Sequence, residues 1–105
     1  MASELATLHT YTSLLPQQAA QAFALLTQAE QGRSGGQAGF VQTWQGVQAI
    51  QAGKPVPHGK TAILVRIKVN PDKGKTTDDV YQFTFVAQNG NTLIDNVTVV
   101  NKRHG

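Results

Sequence analysis

The sequence contains no cysteine, which excludes disulfide bonds and cysteine-ligated metal sites. Charged residues make up only 14% of the chain, against about 25% in ordinary soluble proteins. The formal net charge of +3 comes from basic residues scattered without a dense run, so we expect no nucleic-acid partner. No apolar run approaches the roughly twenty residues that cross a bilayer, and we therefore expect no membrane insertion by this chain.

The length of 105 residues is typical of one domain. We expect a single domain over residues 1–105, with residues 101–105 as a frayed tail. The missing charge is replaced by amides, which predicts helices with polar but weakly charged outer faces; these glutamines are Gln17, Gln18, Gln21, Gln28, Gln31, Gln42, Gln45 and Gln48.

Apolar residues at helical spacing predict three helices in the first half of the chain. Ser3 is a suitable N-cap for a helix that begins at Glu4 and ends before Pro16. Pro16 is itself suited to the first position of a second helix over residues 16–30. Glycines then turn the chain into a third helix over residues 37–47.

The second half of the chain changes from helical spacing to strict alternation, which predicts strands. Strands are expected over residues 62–69, 80–88 and 92–100, with a possible short strand over 47–51 and an irregular segment or edge strand over 53–59. Asn89-Gly90 is a strong hairpin signal. Helices first and an antiparallel sheet last indicate an α+β fold in which N-terminal helices pack on a curved sheet.

Two features that resemble catalytic motifs have simpler interpretations. Residues 32–36 match the G-x-S-x-G pattern, but a nucleophile elbow follows a strand, and here a helix precedes it, so we interpret the segment as a turn between helices. His9, His58 and His104 lie on separate segments without ligand spacing. We therefore expect neither a metal site nor another cofactor.

The order of the large apolar residues and glycines carries a resemblance to a known superfamily. It runs from Leu14-Leu15-Pro16 through Phe23, Gly35-Gly36 and the Phe40-x-x-x-Trp44 spacing to Leu93-Ile94-Asp95. This pattern resembles the nuclear transport factor 2-like (SnoaL-like, cystatin-like) superfamily, in particular actinobacterial extracytoplasmic domains at the C-terminus of serine/threonine protein kinases. The resemblance covers residues 5–100.

The resemblance implies a cone-shaped space between the helices and the concave sheet face. It also implies a non-catalytic sensor or protein-interaction domain outside the membrane, held at the cell envelope through a segment absent from this chain. Two alternatives stay open: a periplasmic assembly domain of a type IV secretion or conjugation system, and a small cone-cavity enzyme of the ketosteroid isomerase or SnoaL-like type. We expect a protein partner or a homodimer, with a small-molecule ligand possible.

One carboxylate carries the enzymatic alternative. Asp95 alternates with Leu93 and Val97, so the pattern places it among apolar neighbours, where a proton-transferring base would lie. Hydrogen bonding to a loop or a helix end would explain the same residue without catalysis. The candidate lining of the pocket comprises Tyr11, Phe40, Trp44, Tyr81, Phe83 and Asp95.

The opposite face of the predicted sheet is a candidate interaction surface. Arg66 and Lys68 share one face of their strand, and we expect Gln82 and Thr84 to lie opposite them on the next strand. This polar, slightly basic face is either a solvated exterior or a docking surface for a second copy or another protein.

Overall fold

The computed structural model describes residues 1–101, which form four helices followed by five strands. The α+β arrangement with a curved antiparallel sheet is confirmed. The helices are α1 (Ala2–Leu14), α2 (Ala19–Phe23), α3 (Gln28–Arg33) and α4 (Gly36–Gln45). The strands are β1 (Val47–Ala52), β2 (Val56–Pro57), β3 (Ala62–Pro71), β4 (Thr77–Gln88) and β5 (Asn91–Asn101).

The first helix begins earlier than the capping signal predicts. Its N-cap is Met1, and Ser3 lies inside the helix, so the predicted start at Glu4 is wrong. The helix ends before Leu15, which is extended as a residue before proline should be. Pro16 follows in a cis peptide bond and does not open a helix, because the next helix begins only at Ala19.

The predicted second helix over residues 16–30 is wrong, because the chain leaves the helix in the middle of that segment. The backbone N–H of Ile94 donates to the carbonyl of Leu25 at 2.8 Å, and the N–H of Thr27 donates to the carbonyl of Ile94 at 2.8 Å. Leu26 and Ile94 thus form a parallel bridge. Pairing with the sheet divides the predicted helix into α2 and α3.

Helix α4 lies close to its predicted position but ends at Gln45, because Gly46 ends it and Val47 begins the first strand. The residue between α3 and α4 with a left-handed backbone is Gly35, at φ 91°. The G-x-S-x-G segment is therefore a turn between helices, as predicted.

The sheet has the order β1-β3-β4-β5, and β2 pairs with β3 beside β1. The pairings are antiparallel. Asn89 and Gly90 connect β4 to β5 with φ values of 52° and 81°, as a tight hairpin turn requires, so the hairpin prediction is confirmed. Asn101 belongs to β5 and not to a tail. The rest of the predicted tail, residues 102–105, lies outside the described residues.

A β-bulge changes which side chains of β5 face the core. Thr84 pairs with Asn96 and Phe85 pairs with Ile94, so Asp95 is an extra residue without an opposite partner. Ile94 is completely buried. The predicted common face of Leu93, Asp95 and Val97 is therefore wrong, because the alternation shifts by one residue at Asp95.

The core lies between the helices and one face of the sheet. The most deeply buried large side chains belong to the sheet: Phe83, Phe85, Ile63, Ile94 and Val65. The helices contribute Leu8, Tyr11, Phe23 and Phe40, and Leu15 joins them from the segment between α1 and α2. Within residues 1–101, the sheet's opposite face carries no part of this cluster, although Ala62 on it is buried. We call this the outer face.

Candidate functional site

Five of the candidate pocket residues form one aromatic cluster between the helices and the sheet. The Tyr11 ring centre lies 5.8 Å from that of Phe83 and 6.4 Å from that of Phe40. Trp44 is 6.3 Å from Phe40, and Tyr81 is 6.5 Å from Phe83. Tilted and edge-to-face contacts at these distances are the usual packing of a core. The aromatic rings therefore pack against one another between the helices and the sheet.

The cavity left among these rings measures about 60 Å³. It is bounded by Tyr11, Trp44, Tyr81, Phe83 and Val97, together with Thr12, Leu15 and aliphatic side chains of β1 and β3. Ligand pockets usually measure about 300 to 1,000 Å³, and an engineered cavity that holds benzene measures about 150 Å³. The cavity is therefore too small for a substrate unless the surrounding side chains move.

The ionisable side chains that line the cavity are the phenols of Tyr11 and Tyr81. Burial, and secondarily the negative charge of Glu30, raises the pKa of the Tyr11 hydroxyl above its ordinary value of 10.0. Burial also raises the pKa of Tyr81, assisted by the charge of Asp79. Both phenols are thus neutral at physiological pH, and neither is prepared to act as a base.

Asp95 does not line this cavity. Its Oδ1 accepts a hydrogen bond of 2.8 Å from the hydroxyl of Thr27, and its backbone carbonyl accepts one from the Arg33 guanidinium. The bulge turns the residue toward the start of α3 and away from the aromatic cluster. The structure thus separates Asp95 from the other five pocket candidates.

Sequence reasoning missed the residues that hold Asp95. Thr27 is buried, and its oxygen also accepts a hydrogen bond of 3.2 Å from the backbone N–H of Glu30, which makes it the N-cap of α3. Glu30 is buried and pairs with the Nε of Arg33 at 2.9 Å. The signal was present, because a threonine followed three residues later by glutamate is a known helix-start pattern.

The candidate interaction residues do lie together on the outer face. Arg66 and Lys68 are exposed on β3, and Gln82 and Thr84 are half-buried on β4. The register differs from the expected one: Arg66 pairs with Val80, and Lys68 pairs with Asp78. The residues opposite Gln82 and Thr84 on β3 are Leu64 and Ala62.

The outer face also has an open depression of about 330 Å³ at the β1 edge. Gly53, Arg66, Lys68 and Asp78 contribute to its walls. Arg66 forms an exposed ion pair with Asp78, with 3.3 Å between Nη1 and Oδ1. An exposed pair of this kind stabilises a fold little, so its groups are free to exchange partners.

No protein-family model matches the chain, and neither does any curated protein or solved structure. The resemblance to the nuclear transport factor 2-like superfamily thus rests on the residues that carry it. Among residues 1–101, no helix has the length and apolar character needed to cross a membrane. Within the same range, no three histidine, aspartate or glutamate side chains are grouped so that they could hold a metal ion.

Proposed function

We propose that the chain is a non-catalytic protein-interaction domain that binds its partner through the outer face of its sheet. The observation that carries this proposal is the filled cone. The cavity among its aromatic rings is about 60 Å³, and Asp95, the carboxylate that the sequence places in an apolar cone, bonds to Thr27 outside that cavity. An enzyme of the cone-cavity type would need both a larger space and an acid or base inside it.

The outer face supports a docking role through its composition. Apolar Leu64 lies opposite Gln82 there, apolar Val80 lies opposite the exposed cation Arg66, and the exposed cation Lys68 follows on β3. Protein interfaces likewise combine apolar and polar side chains. The cations favour a partner whose contact surface is neutral or acidic.

The cellular setting follows from the resemblance. We propose an extracytoplasmic domain held at the cell envelope, either as the sensor region of a serine/threonine kinase or as an assembly domain of a secretion system. The full-length coding sequence and its neighbouring genes distinguish the two settings. A kinase domain and one membrane span upstream of this domain would favour the sensor, whereas neighbouring transfer genes would favour the assembly domain.

Site-specific photocrosslinking in the native host tests the docking face. Benzoylphenylalanine at Gln82, in the middle of the outer face, should give a crosslinked product of defined mass. Benzoylphenylalanine in place of Gln42, which is exposed on α4, is the matched control and should give no crosslinked product. Lys68→Glu should reduce the Gln82 product several-fold. Equal products at Gln82 and Gln42, or none at Gln82, would overturn the proposal.

A further inference from the structure

The first half of the edge strand β5 is covered by the chain itself. Residues 25–27 take both outward backbone groups of Ile94, as described above. The hydroxyl of Thr7 donates to the carbonyl of Thr92 at 3.0 Å, and Arg33 donates to the carbonyl of Asp95. The backbone groups of this part of the edge are therefore already bonded and do not form a ladder with another strand.

The second half of β5 presents a bare edge. The backbone groups of Ile94 face away from its opposite residue Phe85, and pairing alternates along an antiparallel ladder. Two and four residues before Phe85 on β4, Phe83 and Tyr81 have the same orientation as Phe85, and they pair with Val97 and Val99. The N–H and C=O groups of these two valines must therefore also point outward. Among residues 1–101, no backbone group bonds to them.

Nothing along this segment repels a second strand. Residues 96–101 read Asn-Val-Thr-Val-Val-Asn, without charge or proline, and Val99 and Val100 are 37% and 48% exposed. Natural edge strands usually carry lysine, proline or a covering element that prevents pairing. The opposite edge of this sheet has such protection, because Pro55 and Pro57 interrupt it and the Gln17 side chain bonds to the carbonyl of Gln48.

We propose that two copies of the chain pair through this segment as antiparallel strands, with the twofold axis at Thr98. In that register Val97 of each copy lies opposite Val99 of the other. The outward groups of each such pair then exchange both of their hydrogen bonds. Thr98 meets Thr98 of the second copy on the outer face, where a threonine pair is favourable.

The self-complementarity of the segment selects a second copy as the occupant. A twofold axis at Thr98 matches every unpaired backbone group with an equivalent one, so the contact closes on itself as a symmetric dimer. The bulges at Asp95 and Val100 limit the ladder to the residues between them. The short ladder and the protected opposite edge favour a dimer over an open fibre.

This inference goes beyond the proposed function and does not depend on it. The pairing uses the backbone of β5, whereas the docking face uses side chains of β3 and β4. A dimer would join the two outer faces into one continuous surface.

Sedimentation velocity up to about 1 mM protein tests the dimer. We expect wild type to dimerise with increasing concentration. Val99→Pro removes only an N–H that points away from β4, and Thr98→Lys places two cations at the axis. Each should raise the dissociation constant at least about tenfold, whereas Gln42→Lys, with the same added charge on α4, should leave it unchanged.

Single cysteines identify the register, since the chain has none of its own. Residues at a twofold axis in a non-hydrogen-bonded pair have Cα atoms about 4.5 Å apart, within disulfide range. With oxidised glutathione, Thr98→Cys should form a covalent dimer at least about tenfold faster than Gln42→Cys. A wild type that stays monomeric to about 1 mM, or equal rates for the two cysteines, would overturn the proposal. If Val99→Pro does not fold, Thr98→Lys and the cysteine pair decide the matter.

Discussion

The hydroxyl of Thr27 donates a hydrogen bond of 2.8 Å to Oδ1 of Asp95, while the same oxygen accepts the backbone N–H of Glu30 at 3.2 Å. One buried side chain thus caps α3 and fixes the bulge of the last strand. The carboxylate that could have supplied catalysis takes part in joining a helix to the sheet edge.

We expect Thr27→Val to destabilise the domain by about 2 kcal/mol, because it preserves shape but removes a helix cap and a bond to a carboxylate. Thr43→Val is the matched control, since the Thr43 hydroxyl is exposed and bonds only to the carbonyl of Gly39 in its own helix. The control should change the free energy of unfolding by less than about 0.5 kcal/mol. Urea denaturation measures both, and equal losses would show that the Thr27 contacts have no special weight.

Because the pKa of Tyr11 is raised in the folded protein, the free energy of unfolding should decrease with rising pH in the alkaline range. The phenol ionises more readily in the unfolded chain than in the folded one, so its contribution is complete below the ordinary value of 10.0 and is lost as the pH rises above it. Above that pH we expect wild type to lose about 1.4 kcal/mol per pH unit more than Tyr11→Phe. Denaturation of both proteins between about pH 8 and 11 measures the difference. Parallel curves would mean that Tyr11 ionises equally easily in both states.

The hairpin turn and α3 offer two glycines whose replacement by alanine should have opposite effects. Gly90 has a φ of 81°, where an alanine side chain is strained, so Gly90→Ala should cost about 1 to 2 kcal/mol. Gly32 lies in α3 at an ordinary φ with no atom within 4 Å of an added Cβ, so Gly32→Ala should gain about 0.5 to 1 kcal/mol. Thermal melts of the two variants would contradict this if the melting points moved in the same direction.

The sheet could largely be predicted from the sequence, because the alternation of apolar and polar residues along a strand is a local pattern. The strand around Ile63, Val65 and Ile67 and the turn at Asn89-Gly90 needed only neighbouring residues to identify them. The break between α2 and α3 was not readable in this manner, because it depends on Leu26 meeting Ile94, far away along the chain. The threonine-to-glutamate pattern at Thr27 and Glu30 was the only local sign of it.

The candidate site was harder to predict, because a bulge and a packed volume are properties of the folded chain. Strict alternation placed Asp95 with Val97, and the extra residue in the pairing moved it away. The sequence predicted the aromatic residues that meet between the helices and the sheet. It could not give the space between them, since that space depends on how Phe40 and Phe83 pack against Tyr11.

The central claim is that the aromatic rings leave no room for a substrate among them. A titration with small aromatic ligands, followed by NMR at the indole of Trp44, tests it most directly. Trp44 is half-buried and lines the cavity, so Trp44→Ala should enlarge it. The loss in the free energy of unfolding should be below the about 3 to 5 kcal/mol that truncation of a fully buried ring costs. We expect neither indole nor a polycyclic ketone to shift the wild-type resonances saturably up to about 1 mM. Indole should raise the melting point of Trp44→Ala, which shows that the ligand can enter once there is room. Saturable shifts at Trp44 in wild type, with a dissociation constant below about 1 mM for the ketone, would contradict the account and restore the enzyme as the better interpretation.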